Sequence, residues 1–357
     1  MTQLDQEQRN FILQSAIQAP SADNHHRIRF QVDADTIHIR YTEELLPQGG
    51  YKRVLALLSL GAVVENLSIA ASRFGLGAQT TLLADPIQPR LAIQIRLQPA
   101  QAAADPLWQV IPLRHTNRQV RYRGPKLSAI ERSDLDSAVG AYPSSQLIWL
   151  DDPAQRKQVL RLMRRAETAR YRNPILHQEF FSAIRFDVGW HASCTEGLPP
   201  GALAVEPPLR PLFKLLRHWP VMRWANLLFG ADHIMGLRVS DLPCRLAPNL
   251  GLLAVKNTDH PTVFDTGRAF QRLWLTLTNQ GRVLQPMPAS ALYALEGVQA
   301  EDIPIKLQQD LAQGWKSSLG ANIPLILFRV GVARPGKIMA GRPQPEFFLD
   351  MPPEHAH

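Results

Sequence analysis

Cysteine is scarce in this sequence, with only Cys194 and Cys244 among 357 residues. Two thiols cannot form a disulfide framework for a chain of this length, and neither has partners at the spacing of zinc ligands. The eleven histidines show neither the H-E-x-x-H nor the H-x-x-E-H spacing of metal-binding helices. The sequence therefore predicts a protein of the reducing cytoplasm without a metal site.

Several catalytic and targeting signatures are also missing. The sequence contains no G-x-S-x-G and no G-x-x-x-x-G-K-S/T motif, which excludes the usual hydrolase elbow and the P-loop. The first ten residues, MTQLDQEQRN, lack the basic and apolar regions of a signal peptide, and no run of about 18 uncharged apolar residues occurs. We expect neither secretion nor a membrane-spanning helix.

Negative charge is in deficit, because 31 acidic residues face 39 lysines and arginines, giving a net charge of +8. This balance suits nucleic acid, an anionic membrane surface or a phosphorylated small molecule, and charge alone does not choose among them. The basic residues lie in short dispersed clusters without interleaved aromatic residues and without a helix-turn-helix or zinc-finger pattern. Specific nucleic-acid binding is therefore not expected.

Apolar periodicity defines helices and strands in the first part of the chain. Residues 27–42 alternate apolar and polar on both sides of a turn at 33–35, which predicts a β-hairpin. Residues 54–74 are apolar nearly all round, as in a buried central helix. The remaining predicted elements are a helix at 5–19 and strands at 80–85 and 90–98.

The second part of the chain repeats this organisation after a small, polar, proline-bounded connection at 99–106. Each part has a strand, a long buried helix, a glycine and another strand, with GAVVENLSIAA from Gly61 echoed by GRAFQRLW from Gly267. Two copies of one α+β unit on one chain can reproduce a two-fold dimer, so we place the halves at 1–105 and 106–357. The predicted elements of the second half are helices at 127–139, 153–170 and 261–280 and strands at 147–150, 250–255 and 323–333.

An insertion at 198–236 contains the sequence PPLRPLFKLLRHWPVMRWANLLFG, in which apolar residues alternate with arginine, lysine and tryptophan. One interpretation is a basic amphipathic segment at a membrane surface. The other is a proline-broken helical flap that packs its apolar face over the body of the protein. We favour the flap, and do not expect peripheral membrane contact, because four prolines interrupt the helix. These are Pro207, Pro208, Pro211 and Pro220.

The motif RHTNR is the first candidate for binding chemistry. In an extended segment Arg114, Thr116 and Arg118 point to the same side, so two guanidinium groups and a hydroxyl could clamp a phosphate monoester. The same pattern also occurs on solvated surfaces.

The second candidate is APSADNHH, residues 19–26, directly after the first helix. Pro20 sets the exit of the chain, the hydroxyl of Ser21 and the backbone at Ala22 supply donors, and the Asn24 amide offers both a donor and an acceptor. A flat heterocycle with alternating carbonyl and N–H groups, such as isoalloxazine, needs that mixture. A simple Asx or ST turn is the alternative.

Together these motifs resemble the nitroreductase-like FMN-binding family, whose members begin with R-R-S-x-R and continue with a helix and A-P-S-x-x-N-x-Q-P-W. Here the first half has APSADNHH without an arginine motif before it, and the second half has RHTNR without A-P-S-x-x-N in the later segment RAETARYRNPILHQEF. The pattern is similar to the Acg-type branch, in which one chain carries two such halves, one FMN and a lid. His26, Arg27 and Ile28 replace the usual Q-P-W.

The resemblance implies an α+β protein with a three-layer α/β/α fold, internally duplicated as a pseudo-two-fold dimer, with residues 198–236 as the lid. Arg342 would be a further phosphate ligand, and His26 would line the site. A turn with Gln285, Pro286 and Met287 would lie near flavin N5. Asn66 would either face the ring or pack between helices.

The function implied is ping-pong hydride transfer from NAD(P)H through FMN to a nitro or quinone-type acceptor, in a monomer that imitates a homodimer. The alternative is a non-catalytic protein that binds and sequesters flavin, because a closed lid would exclude the contact of about 3 to 3.5 Å that hydride transfer needs.

Overall fold

The structure, a computed structural model, describes residues 4–45, 50–83 and 90–350. In this part of the chain each half contains one antiparallel sheet and one long central helix. The first half contains α1 (Gln6–Ile17), β1 (Ile28–Asp33), β2 (Thr36–Tyr41), α2 (Tyr51–Ser72), β3 (Leu76–Leu82) and β4 (Ala92–Pro99).

The second half is longer and richer in helix. Its first elements are α3 (Ala129–Gly140), β5 (Gln146–Trp149), α4 (Pro153–Arg172), α5 (Pro174–Ser182), α6 (Arg210–Leu215), α7 (Trp219–Phe229), α8 (Ala231–Gly236) and α9 (Leu242–Arg245). It continues with β6 (Asn249–Val255), α10 (His260–Asn279), β7 (Val283–Pro286), α11 (Ala289–Leu292), α12 (Ile305–Leu319) and β8 (Ile323–Gly331).

The predicted elements agree with these bounds within a few residues, except at β3. Side-chain caps explain several helix starts: Asp5 and Gln8 form a capping box on α1, and Asp259 caps α10. β3 begins at Leu76, earlier than the predicted 80–85, because Gly75 turns the chain with a φ of 67° directly after α2. Residues 84–85 of that prediction lie outside the described residues.

The two sheets have the same topology. The strand orders are β1-β2-β4-β3 and β5-β6-β8-β7, with every neighbouring pair antiparallel. α2 connects β2 to β3, and α10 connects β6 to β7. In both sheets the long helix therefore links the second strand of the sheet order to the strand at the far edge. β8 is an interior strand, as its continuous apolar sequence predicted.

The helices that precede the two sheets also correspond. α1 packs on α2 and leads through the APSADNHH turn into β1, while α3 packs on α10 and leads through Tyr142, Pro143 and Ser144 into β5. The turn at the same place in the order of elements of the second half lies at 142–145. The later segment RAETARYRNPILHQEF, which lacks the A-P-S-x-x-N signature, covers the end of α4 and most of α5.

The expected three-layer arrangement holds only for the second half. β6 is buried along its whole length, because α10 contacts it and further helices, α11 and α12, pack on the neighbouring strand β8. In the first sheet, buried residues alternate with more exposed ones along β4, and only Leu76 of the edge strand β3 is buried. Within the described residues that sheet therefore has one face covered by the protein and one face exposed to solvent.

The C-terminal segment crosses back to the first half. Leu349 forms an isolated parallel bridge with Phe30 of β1, and the Asp350 N–H donates to the Phe30 carbonyl at 2.9 Å. The fully buried Phe348 packs against His26 with ring centroids 5.3 Å apart. This crossing brings residues near 342 to the turn after α1.

The insertion is helical and broken at its prolines, as predicted, but only one of its faces packs. Phe213, Leu216 and Met222 are buried in a small cluster with Tyr171 and Phe181 of the helices α4 and α5. Several other large apolar side chains of the insertion are exposed, so the expectation that the flap buries its apolar face on the body is wrong for that set. They are Leu209, Leu212, Leu215, Trp224, Leu227, Leu228, Phe229 and Ile234.

One described helix, α2, is long and apolar enough to cross a membrane by length and composition. Most of it is buried inside the protein between α1, α10 and the first sheet. It therefore has the character of a core helix. Within the described residues, no group of three or more histidine, cysteine, aspartate or glutamate side chains could hold a metal ion.

Candidate functional site

The turn after α1 is held in an uncommon backbone conformation. Asp23 and Asn24 have φ angles of 52° and 59°, in the left-handed region that aspartate and asparagine tolerate best among non-glycine residues. The Asn24 amide nitrogen donates to the carbonyls of Gly197 at 3.0 Å and Thr195 at 3.3 Å. Its amide oxygen accepts from Arg342. The side chain thus joins three distant segments of the chain.

Two arginines converge on the C-terminal end of α1. Arg342 donates to the carbonyls of Ile17 at 2.9 Å and Ala19 at 3.0 Å, and Arg114 donates to that of Gln18 at 2.9 Å. The Arg114 guanidinium also lies 4.5 Å from the ring centroid of Trp274 on α10. Cations at a helix C-terminus are favourable, because the unpaired carbonyls carry partial negative charge.

This arrangement is costly for the two cations themselves. Burial, and then the positive charge of Arg342, lower the pKa of Arg114 to about 9. Burial lowers the pKa of Arg342 to about 10, although the nearby Glu196 opposes the shift. The two buried guanidinium groups therefore lack enough nearby negative charge to offset the loss of solvation.

The rest of the RHTNR segment runs beside β7. Thr116 forms a parallel bridge with Leu284, and the Asn117 N–H donates to the Leu284 carbonyl at 3.2 Å. Burial lowers the pKa of Arg118, which faces the carboxylate of Asp23 in the α1–β1 turn. The structure thus places Arg114, Arg118 and the turn in one region.

Three buried polar atoms in this region have no hydrogen-bond partner among the described residues. They are Oγ of Ser21, Nε of Arg114 and Nε2 of His115. Buried polar groups are almost always satisfied, so each of these unpaired atoms indicates a place for a polar group that the protein does not supply. One hydroxyl and an unpaired guanidinium N–H suit an anion such as a phosphate, which fits a phosphorylated cofactor.

A short segment, Thr195–Gly197, lies over the turn. His26 Nε2 is 2.6 Å from the Thr195 carbonyl, and His25 Nδ1 is 2.9 Å from Glu196 Oε1. Burial is the main cause that lowers the pKa of His26, with the charge of Arg342 adding to it. We call residues 195–197 the cover, because they contact Asn24, His25 and His26 together.

The cavity at the turn is small. Its volume is about 60 Å³, and its walls include Pro20, Ser21, Ala22 and His26 together with Lys52 and Ser59 of α2. Sites for drug-sized ligands usually measure roughly 300–1,000 Å³. This cavity is too small for a ligand of that size, and its walls include neither the cover nor Arg114, Arg118 and Arg342.

The segment expected to form a turn near flavin N5 is a strand instead. Gln285 and Pro286 belong to β7, and the Met287 N–H donates to the Leu327 carbonyl at 2.7 Å. Gln285 accepts two hydrogen bonds from Arg329, at 2.9 and 2.6 Å. Pro286 has no N–H and the N–H of Met287 is engaged, so neither residue offers a free backbone donor.

Two further residues clarify what the sequence alone left open or missed. Asn66 donates to Ser15 and accepts from Gln271, so it packs between α1, α2 and α10. Arg329 is fully buried, lies 3.9 Å over the Tyr122 ring and donates to the carbonyls of Gln119 and Val120 just after RHTNR. No sequence motif indicates that Arg329 holds the segment after RHTNR, because Arg329 lies in β8, more than two hundred residues further along the chain.

Comparison with known proteins gives a consistent but weak similarity. No protein-family model matches this sequence, and neither does any curated protein. Among solved structures, the FMN-dependent nitroreductase NfnB from Mycobacterium smegmatis, in complex with NADPH, is 16% identical with a TM-score of 0.36, over 63% of this chain and 86% of that one.

Two other solved structures are similar to the same extent. An FMN-bound nitroreductase from Desulfitobacterium hafniense is 13% identical with a TM-score of 0.35, over 68% of this chain and 96% of that one. Iodotyrosine deiodinase bound to FMN and 3-iodo-L-tyrosine is 14% identical with a TM-score of 0.34, over 66% and 95%. TM-scores below 0.5 do not establish a shared fold or cofactor, so the geometry of the site carries the functional conclusion.

Proposed function

We propose that the chain is an FMN-binding oxidoreductase of nitroreductase type that holds one FMN per polypeptide. Arg114, Thr116, Arg118 and Arg342 would hold the phosphate. The turn residues Pro20, Ser21, Ala22, Asn24 and His26 would border the flavin ring. FMN supplies hydride and electron transfer when bound, and the protein supplies orientation and electrostatics.

The observation that carries this proposal is the convergence of three arginines on the turn after α1. Burial lowers the pKa of each of them, to about 9 for Arg114 and about 10 for Arg342. A dianionic phosphate would compensate charges that the protein leaves under-neutralised, and guanidinium groups bind phosphate oxygens with charge-assisted hydrogen bonds. The orphaned Ser21 hydroxyl would be one more donor.

The remaining residues of the proposed site act through their own contacts. Asn24 holds a donor and an acceptor on one amide, which suits the edge of a ring with alternating carbonyl and N–H groups. Lys52 and Ser59, on the wall of the same cavity, would reach a ring that enters there. Gln285 is held by Arg329 and would border the site from β7.

The second candidate function is flavin sequestration without turnover, and the cover favours it. Residues 195–197 contact Asn24 and His26 at 3.0 and 2.6 Å, and the cavity between the turn and α2 measures only about 60 Å³. If the cover closes again over bound flavin, a nicotinamide or a bulky acceptor would not come within the roughly 3 to 3.5 Å of the ring that hydride transfer needs.

The same proposal includes an internal duplication and one surviving composite site. The two sheets share one strand order, but RHTNR occurs in the second half alone and APSADNHH in the first alone. The opposite site would lack both parts. A single chain would then imitate a homodimer in the cytoplasm, with the cover and the insertion at 198–236 as its lid.

The first test is the absorption spectrum of the purified full chain, with the released flavin identified and counted against protein. About one FMN per chain supports the composite site, whereas no flavin after incubation with FMN would overturn it. Rapid anaerobic reduction by NADH or NADPH then supports the oxidoreductase. Reduction by dithionite alone supports sequestration.

A further inference from the structure

The outer face of the insertion is strongly apolar. Trp224, Leu227, Leu228 and Phe229 of α7 are 61, 74, 63 and 73% exposed, and Leu212 and Leu215 of α6 are about half exposed. Scattered exposed leucines need no explanation, but a contiguous set rimmed by polar residues marks an interaction site. We define the outer face as Leu209, Leu212, Leu215, Trp224, Leu227, Leu228 and Phe229.

This exposure does not result from a helix that fails to pack. The opposite side of the same segment inserts Phe213, Leu216 and Met222 into a cluster with α4 and α5. His177 Nε2 also lies 2.9 Å from the Leu216 carbonyl, and the Asn226 amide donates to the Tyr171 carbonyl at 2.8 Å. The insertion is thus anchored on one side and presents a second apolar side to solvent.

Positive charge predominates in the insertion. Residues 198–236 contain Arg210, Lys214, Arg217 and Arg223 and two acidic residues, Glu206 and Asp232, of which Asp232 is buried and paired with Arg172 at 2.6 Å. Glu206 is paired with Arg238 at 2.6 Å. Lys214, Arg217 and Arg223 are exposed and alternate with the outer-face residues along α6 and α7.

A basic groove continues this surface at the end of α7. Ile234 and Leu237 line a groove of about 680 Å³. Its other walls carry five cationic side chains, of which Arg164, Arg165 and Arg172 are paired with Asp241, Asp310 and Asp232. The cations are Arg161, Arg164, Arg165, Arg172 and Lys306.

We propose that the outer face docks on a bilayer surface that contains anionic phospholipid. The apolar side chains of α6 and α7 would enter the headgroup boundary, and the interleaved cations would contact phosphate and carboxylate headgroups. Trp224 combines an apolar ring with an N–H donor, which suits that boundary. This inference does not depend on flavin binding.

Charge favours a membrane over a second copy of the chain as the occupant. A two-fold interface through this face would bring the same apolar patch and the same cations together, so Lys214, Arg217 and Arg223 would face like charges. Anionic lipid supplies the opposite charge. Within each of the short, proline-separated helices most of the exposed apolar residues lie three or four positions apart and so share one side of the helix, while Phe213, Leu216 and Met222 hold the other side in the buried cluster.

The test is co-sedimentation of the full chain with vesicles of phosphatidylcholine mixed with phosphatidylserine, and with vesicles of phosphatidylcholine alone. We expect binding to the anionic vesicles that weakens with added salt. Leu227→Ser with Phe229→Ser should weaken it about tenfold or more, since affinity scales with buried apolar area. Lys214→Gln with Arg223→Gln should weaken it and reduce the salt dependence.

The matched control is Leu83→Ser with Ile130→Ser, which removes two exposed large apolar side chains elsewhere on the protein. It should bind vesicles like the parent chain. A parent chain that stays in the supernatant with anionic vesicles at low salt overturns the proposal. Equal weakening of vesicle binding by the control also overturns it. A third contrary outcome is a concentration-dependent dimer that the Leu227 and Phe229 variant abolishes, in a parent chain that does not bind vesicles.

Discussion

Gly61 of α2 and Gly267 of α10 face each other where the two central helices cross, and the contact is reciprocal. A Cβ atom on Gly61 would overlap the carbonyl oxygen of Phe264, three residues before Gly267. A Cβ on Gly267 would overlap the carbonyl oxygen of Leu58, three residues before Gly61. Such a pairing is what a two-fold axis between equivalent helices produces.

Substitution of either glycine should therefore push the two halves apart. Gly61→Ala or Gly267→Ala places a methyl group against backbone, which cannot rotate away, so we expect a loss of about 1–3 kcal/mol or more in the free energy of unfolding. Gly140→Ala in α3 is the control, because nothing lies within 4 Å of its added Cβ. Equal effects of the three substitutions in denaturant unfolding would contradict the close crossing.

A buried carboxylate also joins the halves. Glu65 of α2 is fully buried and accepts from Arg268 at 3.1 Å, from Arg272 at 2.6 Å and from the Tyr142 hydroxyl. Glu65→Gln should cost about 3–5 kcal/mol of unfolding free energy, because it leaves Arg268 without its carboxylate partner and Arg272 with Asp105 alone.

The control for Glu65 is the exposed pair of Arg132 and Asp151, 2.5 Å apart. Asp151→Asn should cost no more than about 1 kcal/mol, since solvent screens that pair. Urea or guanidinium unfolding of both variants measures the difference. A Glu65→Gln variant as stable as the parent would show that the network adds nothing at the interface.

The proposed phosphate clamp predicts a loss of flavin without a loss of fold. Arg114→Ala with Arg118→Ala removes two sets of charged hydrogen bonds worth about 1.5–3 kcal/mol each, which corresponds to roughly 10²- to 10⁴-fold weaker FMN binding. Arg121→Ala with Arg123→Ala removes the same charge from exposed neighbouring positions and should retain flavin. Flavin content per chain and circular dichroism are the two measurements.

Acid should loosen the region around the cover. His26 has a pKa lowered from 6.5 in the folded protein, mainly by burial and further by Arg342 and His25, while the Thr195 carbonyl and Glu196 oppose this. The unfolded chain therefore binds a proton more readily, so stability is present above about pH 6.5 and declines as the pH falls below that value. Buried His177 adds a shift in the same direction.

His26→Gln should flatten the decline in stability below about pH 6.5, because glutamine keeps a donor near the Thr195 carbonyl but does not titrate. Melting temperatures measured from pH 8 to pH 5 test this, with His191→Gln as the exposed control. If the two variants show the same pH profile, His26 does not contribute to the acid sensitivity.

Local pattern was enough to predict most individual elements. The helix α1, the hairpin at 27–42, the long helices near 54–74 and 261–280 and the interior strand β8 all follow from apolar periodicity and from glycine or proline at the ends. These features depend on neighbours within a few residues. The pattern failed at Gln285 and Pro286, where β-pairing with β8 made a strand of a segment expected to turn.

The sequence by itself determined the two motifs and the surplus of positive charge. Only the tertiary structure decided that Arg342 meets Asn24 across 318 residues, that residues 195–197 cover the same turn, and that the insertion faces solvent with its apolar side. The physical reason is the sequence separation between the residues that interact. Helix and strand formation depends on local periodicity, whereas the burial of a charge or the exposure of a leucine depends on which distant segments pack against it.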